Sequence, residues 1–193
     1  MTIPFGELFG GVWLLWLLYW CVSAMGVKPA VRVESGASRF GKYMLPLIIA
    51  VLLLWDAHGW LRGTVLDQRF VPNERWWVWL GFFLTVAGLA FTCWARVILG
   101  RNWSGVVQLK QDHELIVRGP YSIVRHPIYT GLLLALLGSA LAVGEWRALL
   151  ALLIVGVSFW RKLRLEEHWL CELFGDQYRD YMARVKALIP WGL

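Results

Sequence analysis

Five long apolar stretches, separated by short polar ones, constrain this chain more than any other feature. They run over about 5–25, 44–61, 76–99, 128–143 and 146–160. An α-helix needs about 20 apolar residues to cross roughly 30 Å of hydrocarbon. The first three stretches meet that length. The last two are shorter and begin or end outside the hydrocarbon. Backbone groups in lipid must be satisfied within the segment, which favours helices. The expected fold is therefore an all-α integral membrane protein of one domain, residues 1–193, with five transmembrane helices. The first stretch does not read as a cleavable signal: it lacks a basic leader, runs too long and shows no small-residue cleavage site.

Composition agrees. The chain is 59% hydrophobic and 17% charged, against about 45–50% and about 25% in ordinary soluble domains. Its 14 Trp fit a protein with aromatic belts at two membrane interfaces. Cys21, Cys93 and Cys171 are scattered, which argues against a disulfide framework or a zinc site. The four histidines, His58, His113, His126 and His168, show no HxxxH spacing, so no metal is expected. Asp56 and His58 stand near one end of the second stretch. The lone GxxxG of Gly6 and Gly10 points weakly to helix pairing.

The net charge of +6 reads as topology rather than as nucleic-acid binding. Fifteen Lys and Arg fall in three segments: between spans one and two, between spans three and four, and after span five. The other four, Arg62, Arg69, Arg75 and Arg147, fall on the opposite side. Positively charged loops stay inside. This places the N-terminus outside and the C-terminus in the cytoplasm, in a multi-pass protein of an inner or cell membrane. Segments of about 100–127 and 161–193 then share the cytoplasmic face, where a water-soluble cofactor is available.

Spans four and five form a hairpin with a tight turn at Gly144–Glu145. Two antiparallel helices joined so closely are mirror-registered about the turn. Arg125 and His126 are therefore expected beside Lys162, Arg164, Glu166 and Glu167. Lys162 and Glu166 lie four apart and share a helix face. The plainer reading is basic membrane anchors and solvated carboxylates. Pro127 fits a first helical turn, and the free N–H groups and positive dipole near His126 suit an anion.

In order along the chain come Asn102-Trp103-Ser104, His113-Glu114-Leu115-Ile116, Gly119-Pro120-Tyr121, Arg125-His126-Pro127-Ile128-Tyr129, Glu166-Glu167, Phe174-Gly175-Asp176-Gln177-Tyr178, Tyr181 and Leu188-Ile189-Pro190. This pattern, over roughly 95–190, resembles the isoprenylcysteine carboxyl methyltransferase family of integral membrane enzymes, in a short prokaryotic form. The resemblance implies a five-helix protein that binds S-adenosylmethionine at its cytoplasmic end. It implies cofactor contacts at Gln108, His113, Glu114, Leu115, Ile116, Tyr121, His126, Pro127, Ile128, Tyr129 and Glu166. Where the family carries an Arg upstream of its Glu pair, this chain has Lys162, flanked by Arg161 and Arg164. An ammonium is a point charge without the planar fork of a guanidinium.

The chemistry of those residues is consistent with methyl transfer. Glu166 suits a cationic group, and Tyr121, Tyr129 and Trp103 suit a sulfonium or adenine, since aromatic faces attract cations. A carboxylate acceptor needs a cation to hold it, and Lys162, Arg161 or Arg164 can serve. An amine or thiol acceptor needs proton removal, for which Glu167 is the candidate. The acceptor expected is lipophilic and drawn from the bilayer, entering between spans three to five. Two rivals stand beside this reading: a nicotinamide-dependent membrane reductase of sterol-reductase type, and a non-enzymatic membrane protein.

Overall fold

The structure is a computed structural model that describes residues 5–25, 30–33, 36, 40–55, 59–100, 103, 108–110 and 115–190. Its helices are α1 (Phe5–Ser23), α2 (Leu45–Trp55), α3 (Arg75–Leu99), α4 (Pro127–Val143), α5 (Trp146–Phe174) and α6 (Asp176–Arg184). A π-helical turn, Phe40–Met44, leads into α2, and short 3-10 turns occupy Val65–Asp67 and Gly119–Ser122. Two helices, Gly6–Ser23 and Arg75–Leu99, are long and apolar enough to cross a membrane; Phe40–Leu54 and Pro127–Val143 are apolar but shorter.

Two helix ends and one pair of strands differ from expectation. The second helix ends at Trp55 rather than near 61. Residues 60–63 are already in turn, with Gly59 and Gly63 at φ of 65° and 78°, a conformation that glycine adopts without steric cost. Asp56 and His58 lie outside the described residues. The fifth helix does not stop at 160 but runs on to Phe174, 29 residues in all. The chain is also not purely helical: β1 (Ala30–Val33) pairs antiparallel with β2 (Gln108–Lys110). Four-residue and three-residue strands are too short to register as an alternation in sequence.

These pairings sort the connections between the two ends of the bundle. The β1–β2 ribbon joins the α1–α2 connection to the α3–α4 connection. At the other end, Arg69 bridges Glu145. The basic segments and the Arg62–Arg75 region thus occupy opposite ends.

α3 and α4 pack through small residues. On α3 these are Gly81, Thr85, Gly88 and Thr92; on α4 they are Gly131, Ala135 and Gly138. A Cβ added at Gly88 would run into the Gly131 carbonyl and stand 2.6 Å from the Ala135 nitrogen. Small residues let backbones approach this closely, a common device between membrane helices. The seam also buries hydroxyls. Thr85 Oγ1 donates to the Gly81 carbonyl oxygen at 2.9 Å and lies 3.3 Å from Ser139 Oγ.

α1 attaches to this seam through indoles. Trp13 Nε1 donates to Ser139 Oγ at 3.1 Å and Trp16 Nε1 to Thr92 Oγ1 at 2.7 Å. These two Trp serve as interhelical donors in mid-helix, a use that the belt expectation did not foresee. Gly6 and Gly10 make no such approach: a Cβ on either meets nothing within 4 Å.

α2 is held by α5. Pro46 has no N–H to give the Lys42 carbonyl four residues back, and Ser158 Oγ donates to it instead at 2.8 Å. At the other end of α2, Arg147 Nη1 donates to the Leu53 and Leu54 carbonyls at 2.5 and 2.9 Å, and its Nε donates to Glu145 Oε2 at 2.5 Å. Helix-end carbonyls lack intrahelical partners, and in an apolar surround their desolvation is costly.

Candidate active site

The α4–α5 hairpin closes at Gly144, which caps α4 at φ 73°. It brings the head of α4 beside the middle of α5, with 126 opposite 166–167. Pro127 opens α4, and His126 is its N-cap. The chain after α6 returns across this point. Arg125 N donates to the Lys186 carbonyl at 2.8 Å and His126 N to that of Ala187 at 3.0 Å. Thr130 Oγ1 donates to the Leu188 carbonyl at 2.7 Å.

Glu167 is the centre of a buried charge cluster. Its Oε1 accepts from Arg125 Nε at 2.8 Å and Nη2 at 2.6 Å, and lies 3.1 Å from His126 Nε2. Arg125 Nη1 continues to the carbonyls of Val185 and, at 3.3 Å, Met182. Burial alone raises the Glu167 carboxyl. The hydrogen bonds and charges of His126 and Arg125 outweigh it and hold the pKa below the ordinary carboxylate value. An ionised carboxylate only accepts, so His126 Nε2 carries the proton in this contact. The ring's other nitrogen, Nδ1, stands 3.6 Å from Glu166 Oε2.

Glu166 accepts from the Tyr129 hydroxyl at 2.7 Å. One turn earlier, the Lys162 ammonium sits 5.8 Å from the Tyr43 ring centre and 5.5 Å from that of Tyr129. The His126 and Tyr129 rings are nearly parallel, with centres 5.6 Å apart. Tyr181 donates its hydroxyl to the Tyr121 carbonyl at 2.5 Å. Burial pushes the phenols of Tyr121, Tyr178 and Tyr181 upward, so they remain protonated donors.

Lys162, Glu166, His126 and Tyr129 stand at one end of a cavity of about 1130 Å³. It runs between α1, α2, α4 and α5, with only Val78 and Leu99 from α3. The expected opening among spans three to five is displaced, because the glycine seam closes α3 against α4. Of the expected cofactor residues, Leu115, Ile116, Tyr121, His126, Pro127, Ile128, Tyr129 and Glu166 line this one cavity, together with Lys162.

The other candidates lie elsewhere. Arg164 is exposed, with its guanidinium 6.0 Å from the Trp160 ring centre. It lines a separate recess of about 210 Å³ with Glu167 and His168. Residues 162 and 164 are two apart and point to different sides of a helix, so Arg164 cannot share a head group with Lys162. Glu167 sits behind the cavity wall in its ion pair, poorly suited to take a proton. Arg161 is exposed. Gln108 is in β2, described by its backbone only, and His113 and Glu114 lie outside the described residues. Sequence reasoning missed Tyr43, which no local spacing connects to Lys162. It also missed the carbonyls of 182–188, which carry no side-chain signal.

A match to the phospholipid methyltransferase family extends over residues 76–177. The protein-S-isoprenylcysteine O-methyltransferase of Schizosaccharomyces pombe is 35% identical over 96% of this chain and 83% of its own length. Protein-S-isoprenylcysteine O-methyltransferase B of Arabidopsis thaliana is 28% identical over 88% and 85%. Methanethiol S-methyltransferase 1 of Bradyrhizobium diazoefficiens is 39% identical over 37% of this chain and 24% of its own. The chain belongs to the phospholipid and isoprenylcysteine methyltransferase family. It is thus a methyltransferase, and the reductase and non-enzymatic readings find no support among these relatives.

Proposed function

We propose that this protein transfers a methyl group from S-adenosylmethionine to a lipophilic acceptor, with a carboxylate favoured, at the cytoplasmic face of a cell membrane. The observation that carries the reading is the continuity of one cavity from an apolar interior to the cluster of His126, Tyr129, Lys162 and Glu166. A lipid tail and a charged nucleotide-like ligand need opposite environments, and this cavity offers both.

The residues present fit that cofactor. The Glu166 carboxylate, 23% exposed and facing the cavity, matches a cationic group. The first turn of α4 leaves N–H groups without helical partners and favours an anion such as a carboxylate. Tyr121 and Trp103 add aromatic walls; Gln108, His113 and Glu114 join them by family resemblance. When bound, S-adenosylmethionine supplies an electrophilic methyl on its sulfonium.

This chain's part is positioning. Holding two reactants aligned lowers a barrier by roughly 7–11 kcal/mol. An acceptor carboxylate is already nucleophilic, and Lys162, steadied between Tyr43 and Tyr129, orients it. Glu167 acts through Arg125 and His126 rather than as a base. The reading includes five membrane-crossing helices, with the N-terminus outside and the Lys162 end in the cytoplasm, as the charge bias supports.

The test is calorimetry of S-adenosylhomocysteine with the purified chain in detergent. Wild type binds. Glu166→Gln weakens binding about ten- to a hundredfold, the loss of one charge-assisted contact of about 1.5–3 kcal/mol, and stays folded. Equal affinity in both proteins would remove Glu166 from the site, and no binding to wild type would remove the cofactor.

A further inference from the structure

Four phenols, Tyr121, Tyr129, Tyr178 and Tyr181, stand in the wall of the cavity. Two of their hydroxyls are engaged inside the protein: Tyr129 donates to Glu166 at 2.7 Å and Tyr181 to the Tyr121 backbone carbonyl at 2.5 Å. The hydroxyls of Tyr121 and Tyr178 meet no hydrogen-bond partner among the described residues, although these residues are only 7% and 2% exposed. Buried polar groups are nearly always paired. Among the described residues, only Arg96 Nε is both sealed from open space and without a partner. The Tyr121 and Tyr178 hydroxyls therefore keep contact with open space, and the space beside both residues is the cavity.

Local structure puts Tyr178 there. Gly175, at φ 56°, ends α5 and turns the chain into α6. Tyr178 and Tyr181 are three apart and share a helix face, with ring centres 5.8 Å apart. The Tyr181 bond to the Tyr121 carbonyl docks that face against the turn at Gly119–Ser122. Burial, with the Glu167 and Glu166 charges, pushes the Tyr178 phenol upward against the opposing pull of Arg125. Burial, with the Glu166 charge, does the same to Tyr121. Both hydroxyls are neutral and can donate as well as accept.

The charged parts of an S-adenosyl ligand are matched elsewhere, at Glu166 and at the head of α4. What remains is the nucleoside, which is uncharged and edged with groups that donate and accept. Two neutral phenols in a wall that also holds Leu115, Ile116 and Trp169 suit such a group better than a charged one. We propose that Tyr178 is a specificity-determining residue that binds the nucleoside of the cofactor through its hydroxyl, with Tyr121 beside it. This rests on the cofactor reading above. The group it meets is uncharged and lies on the ribose or on the amino edge of the base.

The test is calorimetry on the full-length chain in detergent. The ligands are S-adenosylhomocysteine, its 2′-deoxy and 3′-deoxy forms, and S-inosylhomocysteine, which lacks the amino group of adenine. Tyr178→Phe removes one oxygen. It should bind S-adenosylhomocysteine about two- to tenfold more weakly than wild type, the loss of one neutral hydrogen bond. At least one analogue should bind wild type more weakly and lose nothing further in Tyr178→Phe, because the contact is already gone. A deoxy analogue that behaves so assigns the ribose, and the inosyl analogue assigns the base. Equal affinity of S-adenosylhomocysteine for both proteins overturns the proposal. So does a variant that loses the same factor for every ligand, since its hydroxyl then meets neither group. Without ligand the hydroxyl has nothing to hold, so Tyr178→Phe should melt at or above the wild-type temperature. Tyr181→Phe, which loses its bond to the Tyr121 carbonyl, should melt lower. A fall in Tyr178→Phe like that of Tyr181→Phe makes the hydroxyl structural and also overturns the proposal. No binding of S-adenosylhomocysteine to wild type removes the cofactor reading and the nucleoside site with it, a result distinct from binding that Tyr178→Phe leaves unchanged.

Discussion

The two faces of α4 are equally apolar and behave in opposite ways. One face, with Gly131, Ala135 and Gly138, meets α3 so closely that a Cβ added at either glycine would collide with its backbone. The other, with Ile128, Leu132 and Leu136, borders the open groove toward α1 and α2. Hydrophobicity is the same on both; side-chain size differs. In a membrane, where lipid is as apolar as Leu, close packing of small residues decides which surfaces associate. Large residues face what is left open. The closed side fixes α4 against α3, and the open side leaves the room that the proposed ligand needs.

The largest expected effect is at the charge cluster that ties the head of α4 to α5. Arg125→Ala leaves Glu167 buried beside only His126, and breaking such a pair costs about 3–5 kcal/mol. Denaturation in detergent should show the loss, and a stability like that of wild type would mean that the cluster does not hold the hairpin. Next comes the seam. Gly88→Leu drives a side chain into the Gly131 carbonyl region and should cost at the upper part of about 1–3 kcal/mol or more, read as a fall in melting temperature.

The pH dependence follows from Glu167. Its pKa is lowered in the folded state, so its contribution is present above the ordinary carboxylate value of about 4.3. That contribution is lost as pH falls through the lowered folded value. The stability gap between wild type and Glu167→Gln should therefore be full at neutral pH and close in acid. A gap that widened in acid would reverse the assignment of the ionised form. The smallest effect is on the open side: a Cβ added at Gly10 meets nothing within 4 Å, so Gly10→Leu should change stability within the range of about 0.5 kcal/mol typical of surface sites. A cost equal to that of Gly88→Leu would erase the distinction between the two faces.

The residues show where legibility stops. His126, Tyr129 and Glu166 were readable because a short turn at Gly144 forces mirror register, and their motif resembles a known family. Arg164 was misplaced because being two residues from Lys162 looks near in sequence but is far around a helix. Gly6 and Gly10 carry a pairing motif but meet no other helix of this chain, while the i, i+7 glycines of α3 and α4 did the packing unannounced. Tyr43 could not be read at all, since its relation to Lys162 passes through the docking of α2 on α5.

The sequence by itself determined the apolar helices, the sorting of charge between the ends, the hairpin and the order of its chemical residues. These depend on composition and on local geometry, which neighbours along the chain specify. Only the tertiary structure decided which helix faces close and which stay open, because that depends on how nearly two backbones can approach. It also decided that Glu167 turns to Arg125 while Glu166 turns to the cavity. Adjacent residues on a helix point about 100° apart, and which of the two directions meets a cation is set by what the rest of the chain packs there.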